Sequence, residues 1–347
     1  MNREKLIVAL TKLFPSVARN SVSEEFGDFR FIGKTLRACD GITMVQVTLD
    51  EDTGLDCRIP AEGLFKLLKG RSVADIDITL KGDELKIKGK GLKATYKVIP
   101  AKGGMLDNLD FDIDEWKEIP KGFLESIQKA AFASSKDSDQ GVLCGVYVGK
   151  KRVIGSDGQR ISCTTRKSEL VDKSIIMPGE LVAQLKMHSS SIDGWAIKGE
   201  TIYFKVGEDT ILAGQQIAGQ YPSRVIAGLL KDEREMTTTV EFPEEAIQVL
   251  KSHAVQQAVE TAGVDEAEVT VSFGEEGLTV HSTNAEHSYS LDDSLDIGEA
   301  AEAVKFKIDP GVLADLLQKN KKMKIGEGTF VAFTDKGHTY LAVVDKE

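Results

Sequence analysis

Three stretches of the chain share one pattern of apolar and polar positions. Each begins at a proline, runs through leucines at helical spacing, and continues into two alternating segments joined at a glycine. They are Ile59-Pro60-Ala61-Glu62-Gly63-Leu64-Phe65-Lys66-Leu67-Leu68, Met177-Pro178-Gly179-Glu180-Leu181-Val182-Ala183-Gln184-Leu185 and Asp309-Pro310-Gly311-Val312-Leu313-Ala314-Asp315-Leu316-Leu317. Proline suits a first helical turn because its missing N–H would have no intrahelical partner there. The leucines that follow fall on one helical face. The turns predicted behind these helices centre on Gly82, Gly199 and Gly337, with strands such as Leu85 to Lys88 and Ile202 to Val206 forming hairpins.

An earlier amphipathic segment precedes each proline-led helix: Glu4 to Leu13, Pro120 to Ala131 and Pro243 to Leu250. Pro120 stands 58 positions before Pro178, and Pro243 stands 67 before Pro310. Between the helices run β-branched, alternating segments such as Met44 to Leu49, Val142 to Val148 and Val269 to Phe273. The predicted unit is helix, strands, helix, strands, repeated three times: an α+β fold of repeated domains, each with two helices packed on antiparallel sheets. At 347 residues the chain suits three such domains, 1–117, 118–237 and 238–347. The boundaries fall where the pattern lapses, in the acidic stretch Asp107 to Glu118 and the charged stretch Lys231 to Met236.

Charge changes this picture only once it is placed along the chain. With 44 basic and 55 acidic residues the net charge is −11, which at face value argues against a nucleic-acid partner. The six helical segments, taken as 3–19, 60–72, 120–136, 178–188, 243–257 and 310–324, carry +3, +2, +2, 0, −1 and +3. They total +9, leaving −20 elsewhere. One such helix alone is an ordinary solvated lysine face. If all six line a common surface, that surface is basic on an acidic body, the footprint of a sequence-independent phosphate binder.

Candidate chemistry is sparse. Gly145-Val-Tyr-Val-Gly149-Lys150-Lys151 has three residues between its glycines, where a phosphate loop needs four, and lacks the closing Ser or Thr, so it reads as strand and turn. Asp110-Phe-Asp112-Ile-Asp114 starts like a calcium loop, but Glu115 replaces the glycine and Lys121 the closing carboxylate, so it reads as linker. His281 and His287, beside Asn284 and Glu286, read as a polar turn and not a metal site. Cys39, Cys57, Cys144 and Cys163 stand far apart with no zinc spacing and read as buried thiols in a reducing compartment. No nucleophile motif is present. No catalytic residue, metal or cofactor is expected. The amino terminus is a charged amphipathic segment and no run approaches a membrane span, so a soluble cytoplasmic protein without membrane contact is expected.

Two segments of the second repeat carry more information. Val153-Ile-Gly-Ser156-Asp157-Gly158-Gln159-Arg160-Ile161-Ser162 is a strand, an Asp-Gly turn and a strand; Ile217-Ala-Gly219-Gln220-Tyr221-Pro222-Ser223-Arg224-Val225-Ile226 is a turn running into proline and arginine. Composition alone reads them equally well as two exposed turns. Ser156 to Ile161, however, resembles the Thr-Asp-Gly-His-Arg-Leu turn of the bacterial DNA polymerase III beta subunit family, the sliding clamps. Gly219 to Val225 resembles that family's Gly-x-Phe-Pro-Asp-Tyr-Arg-Arg-Val, contracted by two residues before Arg224. Ile59-Pro-Ala and the stretch from Asn108 to Trp116 are also similar, and the likeness runs the whole length.

The resemblance implies a head-to-tail homodimeric ring of six domains, helices inside and sheets outside, that encircles double-stranded DNA without reading its sequence and tethers the replicative DNA polymerase. A clamp loader would place it on DNA. It would not be an enzyme. Partners would dock a peptide in a cleft between the second and third domains, carried over here as Leu143, Ser156, Gly158, Gln159, Arg160, Ile161, Pro222, Arg224 and Val225, with Leu341 and Val343. The chain ends Val343-Val-Asp-Lys-Glu347 where the family tends to end Met-Pro-Met-Arg-Leu, so that side of the cleft is less apolar and the divergence would suit a phage-encoded clamp. Lys66, Lys69, Arg71, Lys129, Lys136, Lys319, Lys321 and Lys322 are expected to face the DNA, and the Leu92 to Val98 strand to pair with the third domain of a second copy. Two alternatives are a non-ring scaffold of repeated domains in DNA metabolism and a nuclease; the latter would need clustered carboxylates or histidines.

Overall fold

Each proline-led segment is a helix feeding three antiparallel strands. A computed structural model describes residues 1–18, 23–70, 74–102, 110–232, 236, 238–241, 244, 247–248, 251–252, 269–274, 277–282, 288–290, 304–320, 322–326, 329–335 and 337–346. The chain opens with α1 (Arg3–Leu13), then β1 (Asp28–Ile32), β2 (Thr35–Cys39), β3 (Thr43–Thr48) and β4 (Asp56–Pro60). Next come α2 (Ala61–Lys69), β5 (Asp77–Lys81), β6 (Glu84–Gly89), β7 (Leu92–Lys97) and the short β8 (Ile99–Pro100). The cycle repeats with α3 (Phe123–Ala131), β9 (Gly145–Val148), β10 (Arg152–Ser156), β11 (Arg160–Thr165) and β12 (Ile175–Pro178). It continues through α4 (Gly179–Met187), β13 (Ile192–Lys198), β14 (Thr201–Val206), β15 (Thr210–Gln215) and α5 (Ser223–Asp232).

The third cycle follows β16 (Thr238–Glu241), with residues 244, 247–248 and 251–252 helical. It runs through β17 (Val269–Gly274), β18 (Gly277–Ser282), β19 (Ser288–Ser290) and β20 (Val304–Ile308), then α6 (Pro310–Leu317). The chain closes with β21 (Lys322–Ile325), β22 (Phe330–Asp335), β23 (His338–Val343) and β24 (Asp345–Lys346). The expected alternation of helices and antiparallel strands, three times over, is the one observed.

The strands form four sheets, ordered β13-β14-β15-β3-β2-β1-β4-β8, β12-β9-β10-β11-β23-β22-β21-β16, β19-β18-β17-β20-β24 and β5-β6-β7. A rule connects the two large ones. The last strand of the trio after one helix, β15 or β23, joins the third strand of the quartet from the preceding cycle, β3 or β11. The trio β5-β6-β7 and the quartet β17 to β20 are left over.

Two compact units result, residues 1–124 with 177–217 and residues 125–176 with 218–347. In the first, Leu6, Leu10 and Leu13 of α1 and Leu64 and Leu68 of α2 are buried, as are Phe29, Phe31, Leu36, Val45 and Val47 on the strands behind them. Each such side chain contributes about 1.5–3 kcal/mol by leaving water. In the second, α6 buries Val312, Leu313, Leu316 and Leu317 with Val271, Phe306, Val331 and Phe333.

Several expectations are corrected. Pro60 and Pro178 are the last residues of β4 and β12 and serve as helix N-caps, with φ of −51° and −55°. Only Pro310 stands in the first helical turn, behind Asp309, whose carboxylate accepts from the Val312 N–H at 2.7 Å. A strand end needs no further ladder donor, so proline fits either side of the junction. Gly82 and Gly199 turn the first hairpin after their helices, whereas Gly337 (φ 84°) turns the second, matching Gly91 and Gly207.

The helices are also shorter than the segments drawn from sequence, and α5 occupies residues expected to form a turn and then a linker. Within the observed bounds α1 to α6 carry +2, +1, 0, 0, +1 and −1. The basic bias is therefore mostly a property of the residues that follow α1, α2, α3 and α6 in sequence.

The acidic stretch before α3 is tacked down, at least over residues 110–117. Phe111 is buried edge-on against Tyr203, with the Arg37 guanidinium 4.6 Å from its ring centre. The Lys198 amine binds the Asp110 carboxylate and, at 2.8 Å, the Asp112 carbonyl. Lys117 and Trp195 exchange two backbone hydrogen bonds of 2.9 Å. Asp110 is thus engaged by a lysine, in keeping with a linker. The four cysteines are free, and burial raises the thiol pKa of Cys39, Cys57 and Cys163 to about 11.

Candidate functional site

The β10–β11 hairpin is built around Asp157. Its carboxylate accepts from the Gln159 N–H at 3.1 Å and the Arg160 N–H at 2.9 Å, closing an Asx turn. Gly158 has φ 92°, a backbone state that a side chain resists, and the Ser156 hydroxyl accepts its N–H at 3.2 Å. Sequence thus dictates the turn at three successive positions.

Strand pairing then sorts the site residues onto two faces. Ser156 lies opposite Ile161, Ile161 opposite Leu341, and Leu341 opposite Ala332. Because directly paired residues share a face and neighbours alternate, Ser156, Ile161, Leu341 and Val343 project to one side. Ile161 and Leu341 are buried, whereas Val343 is 42% exposed, and its N–H donates to the Gln159 carbonyl at 2.8 Å.

Arg160 belongs to the opposite face. It lies across from Ala342, donates to the Asp157 carboxylate at 2.8 Å and the Asp315 carboxylate at 3.0 Å, and stacks 4.8 Å over the Phe132 ring. It is a bolt between the hairpin, α6 and the segment after α3. The expectation that it stands with Ile161 in one cleft is not what the pairing gives.

The second segment reaches the Ile161 side. Tyr221 is buried and stacks on Tyr147 at 5.2 Å between ring centres; Tyr147 lies opposite Ile154, which shares a face with Ser156. Burial raises the Tyr221 hydroxyl pKa. A Cβ on Gly219, at φ 132°, would meet Val142 at 2.7 Å, so this glycine permits close approach to the turn holding half-buried Leu143. Pro222 precedes α5, whose first turn holds Arg224, exposed, and Val225, 67% exposed. Ser156, Ile161, Leu341 and Val343 therefore share one side of the sheet, with Pro222 at its border; Leu143 is half-buried in the turn next to Val142, and Gly158 and Gln159 are exposed at the hairpin tip.

Sequence reasoning missed Phe132, Asp315, Tyr147 and the pair Tyr340–His338. Arg160 and Asp315 are 155 positions apart, and nothing local in either motif pairs them. His338 is buried between the Ser162 hydroxyl, 3.2 Å from Nε2, and the Thr164 hydroxyl, 2.6 Å from Nδ1. Burial, with Lys129 nearby, lowers its pKa to about 4. Ser162 donates to the Lys129 carbonyl at 2.7 Å, so it accepts from Nε2–H and Thr164 donates to Nδ1, which fixes the neutral tautomer.

The lysines expected to face DNA divide by local role. Lys66 and Lys69 lie in the last turn of α2, exposed; Lys66 pairs with Glu62 at 2.5 Å, and the Lys69 amine lies 5.5 Å from the centre of the Phe65 ring. Lys129, in the last turn of α3, pairs with Glu125 at 2.7 Å and lowers its carboxyl pKa. Cations are favoured there by the partial negative charge of the helix end. Lys136 and Lys319 are exposed beyond α3 and α6, and Lys322 starts β21. Arg71 and Lys321 lie outside the described residues, as does His287.

Among the described residues no three His, Cys, Asp or Glu side chains gather to hold a metal, and no helix is long and apolar enough to cross a membrane. No protein-family model and no curated protein matches the sequence. Solved structures do. A putative DNA polymerase III beta subunit from Eubacterium rectale is 14% identical with a TM-score of 0.78, over 99% of this chain and 98% of that one. The beta subunit from DNA polymerase of Streptococcus pyogenes is 15% identical with a TM-score of 0.77, over 100% and 99%. The DNA polymerase sliding clamp from Caulobacter crescentus is 17% identical with a TM-score of 0.75, over 99% and 98%. The fold is that of the sliding clamps from end to end.

Proposed function

We propose that this protein is a sliding clamp: a non-enzymatic processivity factor whose homodimeric ring encircles double-stranded DNA and tethers the replicative polymerase. The observation that carries the reading is the pair of leftover half-sheets. Each large sheet joins the last strand of one trio to the third strand of the preceding quartet. By that rule the open strand β7 of one copy finds its counterpart in β19 of another, and the reverse contact closes a two-chain ring. Among the described residues, β7 pairs only with β6, and β19 only with β18. Unsatisfied edges drive such association, and closure avoids a filament.

In this reading the three domains divide at about residues 117 and 237, a loader opens the ring, and the protein works in the cytoplasm with the replication machinery. Lys66, Lys69, Lys129, Lys136 and Lys319 contact phosphates transiently, as sliding requires. Ile161, Leu341, Val343, Pro222 and Val225 receive a partner peptide, with Arg224 at the border. The test combines native mass with retention on DNA. A two-chain particle should stay on closed circles at salt that abolishes binding to short linear duplex. A monomer at micromolar concentration, or equal loss from circles and linear DNA, refutes the reading.

A further inference from the structure

The sheet β5-β6-β7 has two faces of opposite character. Leu85 and Ile87 are buried on one, and there Tyr96 lies 3.5 Å from where a Cβ on Gly63 of α2 would stand. The other face is exposed or half-exposed at every position. It presents Lys81, Lys86, Lys88, Lys93 and Lys97 against only two carboxylates, Asp77 and Glu84. This concentration of positive charge sits on a chain of net charge −11.

Two features set it apart from an ordinary solvated surface. Lys88 lies directly opposite Lys93, an arrangement that like charges disfavour. Lys86 pairs with Glu84 at 3.0 Å and Lys97 with Asp83 at 4.0 Å, but Lys81, Lys88 and Lys93 form no ion pair with a described residue. Lysines on β7 could serve to protect a sheet edge. That explanation leaves Lys86 and Lys88, which are in the middle strand.

The chemistry of the face selects its partner. No apolar or aromatic side chain projects from it, whereas protein interfaces rely on such anchors and are depleted in lysine. Thr79 and Thr95 lie on either side of Lys86 in register, so hydroxyl and ammonium donors alternate across the strands. These are donors to phosphate oxygens, repeating at about 6.8 Å along a strand and about 4.8 Å across strands. We propose that this face binds a nucleic-acid phosphate backbone independently of sequence. It lies on the side of the sheet away from α2, so it is a second contact surface distinct from Lys66 and Lys69.

The test is fluorescence anisotropy with a short labelled single strand and the matching duplex, on the full chain across a salt series. Lys86→Glu, Lys88→Glu and Lys93→Glu together should weaken binding about tenfold or more and flatten the log–log salt slope by about 2 on the single strand and about 3 on the duplex, from three lost contacts. The strand and duplex arms show which source of phosphate is preferred. Lys88→Gln with Lys93→Gln, which relieves the like-charge pair, guards against misfolding and should weaken binding in the same direction. Unchanged affinity in both variants overturns the proposal, as does tighter binding of polyglutamate than of either oligonucleotide. The clamp reading is judged separately, on native mass and circle retention of the unmodified protein.

Discussion

Acidification should weaken the β11–β23 junction through His338. The ring is neutral, with Nε2–H directed at Ser162 and Nδ1 accepting from Thr164. Protonation puts a second donor at Nδ1 against a hydroxyl already donating to it, and places a cation in a buried site beside Lys129; Glu125 offsets this only in part. The folded-state pKa is about 4, against an ordinary 6.5. The sign follows from proton counts. Between those values the unfolded chain binds the proton and the folded chain does not, so stability is full above about pH 6.5 and falls as pH drops toward 4. A shift of about 2.5 units corresponds to about 3 kcal/mol, since one unit is about 1.4 kcal/mol. Urea unfolding of the native protein and of His338→Gln, at intervals from pH 7.5 to 4, isolates the site because titrations of carboxylates distant from His338 cancel in the difference, leaving His338 and its neighbour Glu125. The stability gap between the two should shrink by roughly that amount as pH falls. Parallel profiles would refute the assignment of a buried, neutral His338.

Three further outcomes are expected. A Cβ on Gly155 would lie 1.9 Å from the Ala130 carbonyl oxygen, a backbone atom, so Gly155→Ala should cost about 3 kcal/mol or more in thermal or urea unfolding; a loss below about 1 kcal/mol would show that α3 does not press on β10. Asp315→Ala should cost about 1 kcal/mol and Arg160→Ala more, because Arg160 also holds Asp157 and Phe132; a double-mutant cycle without coupling would dissolve the bolt. Val225→Glu and Val343→Glu, at exposed apolar positions, should weaken binding of a polymerase-tail peptide about tenfold or more with stability changed by less than about 0.5 kcal/mol, and intact binding would move the partner site elsewhere.

Local chemistry was legible in the sequence and long-range pairing was not. The Asp-Gly turn at Gly158, the proline-marked helix starts and the alternating strands all follow from interactions within a few residues. Which trio joins which quartet depends on pairings such as Leu212 with Val45, separated by most of two cycles, and no spacing announces that. The same limit explains Arg160. Its motif was recognisable, and strand alternation alone sets it opposite to Ile161; what it meets on that face, Asp315 of α6, lies 155 positions away. Helix α5 was missed because Pro222 and the charged residues after Lys231 both signal interruption, while the apolar face between them is only three turns long.

The misplaced helix ends bear on how the lysines act. Lys66 and Lys129 are held by carboxylates one turn back, pairs worth about 0.3–0.5 kcal/mol in exposed helices. Such pairs are weak enough to yield to a passing phosphate. In the proposed clamp each exchange would substitute one exposed ion pair for another, so the net gain per contact would be small and no position along a duplex would be much preferred over the next. Strong unpaired arginines in the same places would deepen every contact and slow movement. Partly neutralised lysines at the ends of α2 and α3 therefore fit the proposed role of holding DNA by enclosure and releasing each phosphate as it slides. The unpaired lysines of the β5-β6-β7 face have no such moderating partners, which is why that face is expected to bind oligonucleotides where the helix ends only graze them.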